Sequence, residues 1–322
     1  MSDHATGILF SLLTVVSWTL CIFPFTEASR RIGANTLNHF RLFLATLLIG
    51  TCSVLLDAGR FAGIFHREFL PAWLWLGASG ITGLTIGDYC AFRMYAILGA
   101  RTGSVLTTLA PAAALVLGGM LTSEHISAIG VAGVLITIAG IINISFGKKE
   151  RQLMPDHGHG SIASGILWGI MGSVGQGAGL VMAKKAMLAE QSLGFSIHPV
   201  NATFIRLSIA FLSLAIVATA TGRLKKTWMP VFTNQNKGLK FAVAGTIFGP
   251  FLGVSLSLFA VSLIEASVAQ TIFSLVPVGA LCFAALFRNE KVTFQSLAGV
   301  FVAVSGVLIL IWRESLYSFF AG

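Results

Sequence analysis

The chain has 322 residues, 55% of them hydrophobic and 10% charged, with a net charge of +9 and a mean hydropathy of +0.86. A soluble domain carries about 25% charged residues, so this composition excludes an ordinary water-soluble fold. The positive balance does not indicate a nucleic-acid partner, because the basic residues fall between apolar runs, as membrane topology signals do.

A bilayer core takes about 20 apolar residues per helix. Read in chain order, the sequence predicts membrane helices over Ala5–Thr26, Asn38–Leu56, Ala72–Tyr95, Gly103–Thr122 and Ile126–Phe146. A polar stretch, GKKERQLMPDHGHGS, follows, and then Ser161–Ala183, Val200–Thr221, Phe241–Leu263, Ala266–Phe287 and Val292–Trp312. The opening MSDHATG lacks the basic start of a cleaved signal peptide, so the first segment is read as a mature helix. The fold class expected is therefore an all-α integral membrane protein with ten transmembrane helices. Its domains would be a five-helix unit over 1–147, a linker over 148–160 and a second unit over 161–322. Frequent glycine (35 in the chain) fits helices that pack closely through small residues.

The two halves share a register. Pro111 and Pro277 lie 166 residues apart, and so do Glu124 and Glu290, Gly133 and Gly299, and Gly140 and Gly306. Earlier in each half, FRLFLA (40–45) aligns with IRLSIA (205–210) and pairs Arg41 with Arg206. A repeat of five helices makes the second copy enter the membrane from the opposite side. Inverted repeats of this kind build many secondary transporters, with the substrate site between the repeats.

These features resemble the drug/metabolite transporter superfamily, and in particular its ten-helix EamA-type members. The resemblance rests on Arg41 and Arg206, on Pro111 and Pro277, on the passage GDYCAFRMYAILGARTGSVLTTLAP, and on the endings TSEHISAIGVAGVLITIAGI and RNEKVTFQSLAGVFVAVSGV. It implies transport of a small metabolite, such as an amino acid, drug or nucleotide sugar, without specifying which. The second half departs at one point: the register partner of Asp88 is Val254.

Ionisable groups inside apolar helices cost about 2.5–3.5 kcal/mol each at the helix centre, so the few present are candidates for function. Asp88 lies beyond the middle of its segment, and no cation one turn away in its own helix stabilises the ionised form. It is read either as a cavity group that exchanges protons or meets a cationic substrate, or as an anchor that caps a helix or meets Arg101. Arg93, five residues on, points to another face and can reach the interface. Arg41 and Arg206, one turn inside their helices, either snorkel to head groups or act in gating or anion contact near opposite membrane faces. Trp18, Tyr89, Thr108, Gln176, Gln270 and Ser274 join Asp88 as candidate substrate-binding residues, with Thr14, Ser17 and Thr107 as milder polar neighbours. Pro111 and Pro277 are gating or structural candidates that free backbone carbonyls beside the cavity. Glu124 and Glu290 suit capping at short helix connections.

No cofactor or metal is expected. His157 and His159 belong to a solvated linker, and Cys21, Cys52, Cys90 and Cys282 read as buried, unpaired thiols. The expected partners are a small-molecule substrate, a coupling proton and the lipid bilayer of the cell (inner) membrane, with no nucleic acid and with homodimerisation left open. The function read from these features is secondary transport by alternating access. A membrane-embedded enzyme and a passive pore are the alternatives; HExxH, GxSxG and repeated polar rings are all missing. The basic loops put both termini on one side: outside by the positive-inside rule, inside by resemblance.

Overall fold

The computed structural model describes residues 3–124, 127–145, 160–192, 197–233, 237–288 and 294–313. Every regular element among them is helical. The chain opens with α1 (Asp3–Ile32) and α2 (Ala34–Gly63), each 30 residues long. At 1.5 Å per residue α1 is about 45 Å long, and α2 runs about 34 Å to a break at Asp57, so both exceed a hydrocarbon core of about 30 Å. They reverse direction at Gly33, whose φ of 82° suits glycine.

The third span is interrupted. α3 (Leu70–Ser79) runs into a π-helical stretch (Gly80–Gly87), and α4 (Asp88–Leu106) follows, itself broken at Gly99 where φ is 81°. A 3₁₀ turn (Thr107–Leu109) leads to α5 (Ala110–Leu121), then α6 (Ala128–Ser145). The second half contains α7 (Ile162–Ser192), α8 (Pro199–Ala220), the short α9 (Leu224–Phe232) and α10 (Leu239–Thr246). Another π stretch (Ile247–Gly253) precedes α11 (Val254–Leu263), α12 (Ala266–Phe273), α13 (Val276–Arg288) and α14 (Phe294–Ile311).

Seven helical stretches are long and apolar enough to cross a membrane, and three shorter apolar ones cover Thr107–Leu121, Ala128–Gly140 and Ala298–Ile311. The protein is an all-α, multi-pass integral membrane protein. The sequence did not anticipate α9, whose Lys225 and Lys226 stand beside Trp228 and Phe232. It packs on α2 through Trp228 against Phe43 and through Asn35 Nδ2 donating to Thr227 Oγ1 at 3.1 Å.

The two π stretches end at Gly87 and Gly253, and each contains an inner glycine, Gly83 or Gly249; both pairs are 166 residues apart. Glycine weakens the regular helix at these sites, and in the second stretch Pro250 also removes a backbone donor. Each wide turn packs against the first helix of the other half. Gly83 and Gly87 lie against Gly172, Gly175 and Gly179 of α7, where a Cβ on Gly175 would stand 2.9 Å from Thr82 O. Ser79 Oγ donates to Gly179 O across the same seam. In the counterpart seam, Phe25 of α1 fills the space over Gly245 and Gly249, and Ser17 Oγ donates to Phe248 O at 2.6 Å.

The final helices of the halves, α6 and α14, also pack together. A Cβ on Gly133 would stand 2.8 Å from Gly306 O, and one on Gly140 would stand 2.8 Å from Gly299 O. The register glycines of the repeat therefore form one interface. Among the cysteines, Cys21 and Cys90 are buried as expected, Cys52 is half-buried, and Cys282 is exposed on the apolar surface; all four are free. The linker with His157 and His159, the residue Glu290 and the side chain of Arg101 lie outside the described residues.

Candidate functional site

A cavity of about 110 Å³ lies where the two π stretches face α1, α2, α7 and α8. Both halves contribute to its wall. Of the candidate binding residues, Trp18, Asp88, Gln176, Gln270 and Ser274 line it, joined by Arg41 and Arg206. Tyr89 and Thr108 are not among its lining residues. Tyr89 turns to the edge of Trp168, 6.0 Å between centroids, and Thr108 is buried in the 3₁₀ turn. Thr107 takes the place expected of Thr108, because a 3₁₀ turn advances about 120° per residue and shifts the face presented.

Of the two readings of Arg41, the structure excludes the first. Arg41 does not snorkel: its side chain is 2% exposed and its Nη2 meets Asp88 Oδ2 at 2.6 Å. It also donates to Asn38 Oδ1 at 2.7 and 2.9 Å and to Leu84 O at 2.8 Å, and its guanidinium lies 4.9 Å from the centroid of Phe92. The wide turn over Gly80–Gly87 leaves the Leu84 carbonyl available to a side chain from another helix. Asp88, the first residue after that turn, is thus neither uncompensated nor an interfacial cap. Its second oxygen accepts from Gln176 Nε2 of α7. One carboxylate ties α2, α4 and α7 together.

Arg206 also lines this cavity, so the two arginines converge on one site instead of marking opposite membrane faces. Its environment differs from that of Arg41. The side chain is buried, and its Nε has no hydrogen-bond partner among the described residues. Its backbone carbonyl packs directly on Gly80, where any Cβ would collide. Arg93 is half-buried, with its guanidinium 5.7 Å from the centroid of the Trp168 ring.

Trp18 packs edge-on against Phe273, 5.1 Å between centroids, and its indole Nε1 adjoins Gly253. Ser274 Oγ donates to Thr271 O at 2.6 Å in the turn that separates α12 from α13. Pro111 and Pro277 begin α5 and the first turn of α13 without lining the cavity. The sequence reading also passed over Cys21, Tyr95 and Ser257 on the wall. Cys21 lies three residues after Trp18, nearly one turn of α1, and this spacing was the available signal.

A second polar cluster closes one side of the bundle. Glu124 accepts from Ala266 N at 2.9 Å and from Ser267 Oγ at 3.1 Å, capping α12 from the first half as its position at a connection suggested. Lys184 Nζ donates to Val261 O at 2.6 Å and Ile264 O at 2.8 Å, covering the carbonyl end of α11. Arg313 pairs with Glu265 at 2.7 Å. Among the described residues, no group of three or more His, Cys, Asp or Glu is arranged to hold a metal ion.

Comparison with known proteins places this geometry. Over 113 residues the chain is 27% identical to a protein of Archaeoglobus fulgidus described as an uncharacterized transporter; the match spans 34% of this chain and 41% of that one. A solved structure, titled only as the crystal structure of a protein, superposes with a TM-score of 0.68 over 97% of this chain and 99% of its own, at 14% identity, which shows a shared fold. The family model described as the EamA-like transporter family matches residues 5–146 and again residues 163–312. With nearly the whole length matched, the chain belongs to the EamA-like transporter family.

Proposed function

We propose that the protein is a secondary transporter that moves a small metabolite, amino acid or drug-like molecule by alternating access, with the cavity as its substrate site. The observation that carries this reading is the wall itself. Each half supplies a wide helical turn, a buried arginine and a first helix to one shared pocket. We read the ten apolar stretches as ten spans in two inverted five-helix units (1–147 and 161–322), joined by the 148–160 linker. The cross-packing of each interrupted span on the other half's first helix is the arrangement expected if the units rock about the cavity.

The sequence has no phosphate-binding loop, so transport would draw on an ion gradient or the substrate's own gradient. Asp88 is the single carboxylate among the lining residues, so proton coupling through the cavity would act through it, by opening of its pair with Arg41. We place the protein in the cell's inner membrane and assign it no enzymatic step.

The test is counterflow in proteoliposomes, using a ligand found by thermal-shift screening of the purified protein. A carrier accumulates labelled ligand against unlabelled ligand with saturation. Chemical conversion of the ligand would instead point to an enzyme. Flux without saturation or exchange would point to a pore.

A further inference from the structure

In the first half, Asp88 stands between the Arg41 guanidinium and the Gln176 amide. The second half repeats the surroundings without the carboxylate. Arg206 corresponds to Arg41 at an offset of 165, and Trp18 corresponds to Gln176 at an offset of 158. Gly87 adjoins Gln176 on α7, and Gly253, 166 residues on, adjoins the indole Nε1 of Trp18 on α1. At the position of Asp88 the second half has Val254, which lines the same cavity. The consequence is chemical. Arg41 is paired directly with Asp88, whereas the Arg206 side chain is buried to 4% exposure and its Nε has no hydrogen-bond partner among the described residues. Arg206 feels Asp88 only through space, that carboxylate being held by Arg41 and Gln176.

We propose that Arg206, together with the Trp18 indole N–H on the same cavity wall, binds the carboxylate of a small monoanionic substrate, which takes the role that Asp88 plays in the other half. This rests on the reading of the cavity as the substrate site. The charge count fixes the class: two guanidiniums against one carboxylate leave one positive charge on the wall, and a buried charge of this kind calls for a single countercharge. A dianionic phosphate would overshoot that balance, and an ammonium compound would add to the surplus. Apart from these groups the wall is mostly apolar, with Ile22, Phe92, Leu180 and Phe273 positioned to take a hydrocarbon chain or a ring. A zwitterion would bring a cation with no second carboxylate to receive it, because Asp88 is already held by Arg41 and Gln176.

The experiment is calorimetric binding to the purified full-length protein in detergent, with benzoate and butyrate as probes and benzamide, butyramide and benzylammonium as neutral and cationic counterparts. Benzoate or butyrate should bind saturably, and its amide or ammonium counterpart at least about tenfold more weakly, as loss of a charged hydrogen bond implies. Val254→Asp should supply the carboxylate internally, keep or raise the melting temperature, and weaken benzoate binding by about tenfold or more. Arg206→Gln should lose the same binding, and Arg206→Lys should keep part of it. Equal affinity for benzoate and benzamide would overturn the proposal. So would absence of binding by both carboxylates, or a folded Val254→Asp protein that binds benzoate as the wild type does. Should either variant fail to fold, the wild-type comparison of acid with amide decides alone. Saturable benzoate binding without counterflow would leave the subsite standing and remove transport. Counterflow of a neutral or cationic compound without carboxylate binding would do the reverse.

Discussion

Asp88→Asn tests how far the polar centre of the fold depends on one ion pair. In the wild type, Arg41 and Asp88 meet at 2.6 Å with side chains 2% and 11% exposed. Removing one partner of such a buried pair costs about 3–5 kcal/mol, because the other charge stays in place without its match. For Asp88→Asn the lower end applies. Arg41 keeps Asn38 Oδ1, the Leu84 carbonyl and the Phe92 ring, and an amide oxygen turned toward it still accepts from Arg41 while Gln176 turns its Oε1 to accept from the new NH2. The expected loss is about 3 kcal/mol. Arg41→Met should cost more, about 4–5 kcal/mol, since Asp88 then retains only the Gln176 bond. The double replacement Arg41→Met with Asp88→Leu removes both charges, and it should lie within about 1 kcal/mol of the wild type. Thermal and denaturant unfolding of the purified protein in detergent gives all four corners of the cycle. Two single losses that simply add in the double variant, or an Asp88→Asn protein within about 0.5 kcal/mol of the wild type, would refute the pair as a structural centre.

Further outcomes follow from other contacts. Lys184→Met uncovers the Val261 and Ile264 carbonyls and should lower stability by about 1–3 kcal/mol in the same unfolding assay. Gly140→Ala drives a methyl into the Ala303 backbone and the Gly299 carbonyl, and should cost about 1–3 kcal/mol, with α6 and α14 losing cross-linking between cysteines placed along their seam. His198, at the start of α8 and outside the spans, has its pKa held below the usual 6.5, first by burial and then by Arg60. The folded state therefore prefers the neutral ring, so stability should fall as pH drops below about 6.5 and level off once the folded protein also binds the proton. His198→Asn, which keeps an N-terminal cap, should flatten that part of the profile.

The sequence carried the general plan because the repeat is marked by residues that are rare in apolar helices. Pro111 with Pro277, Arg41 with Arg206 and the spaced glycines hold one register through otherwise interchangeable Leu, Val and Ala. The site was partly legible for the same reason: a carboxylate, two guanidiniums and two carboxamides stand out against lipid-facing sequence, and these residues do meet at the cavity. What stayed hidden was the partnership. Asp88 has no cation one turn away in its own helix, and the one that holds it lies 47 residues earlier on α2, a relation that no helical spacing encodes. Local helix geometry hid the rest. The π turn at Gly80–Gly87 and the 3₁₀ turn at Thr107–Leu109 rotate the faces that follow, so Thr107 and not Thr108 lines the wall, while Tyr89 turns away although it neighbours Asp88. The break at Gly99 falls in the connection expected between Tyr95 and Gly103, whereas α9 was hidden by its short length of nine residues.

The central claim is that substrate passes through the cavity shared by the two halves. Cys21 lies on that wall, which makes it a built-in probe once Cys52, Cys90 and Cys282 are replaced by alanine. The measurement is counterflow of the screened ligand in proteoliposomes before and after Cys21 is alkylated with N-ethylmaleimide, with the extent of modification read by mass spectrometry. Bound ligand is predicted to slow the alkylation, and complete modification of Cys21 to stop counterflow. Unchanged counterflow in protein whose Cys21 is fully alkylated would contradict the account.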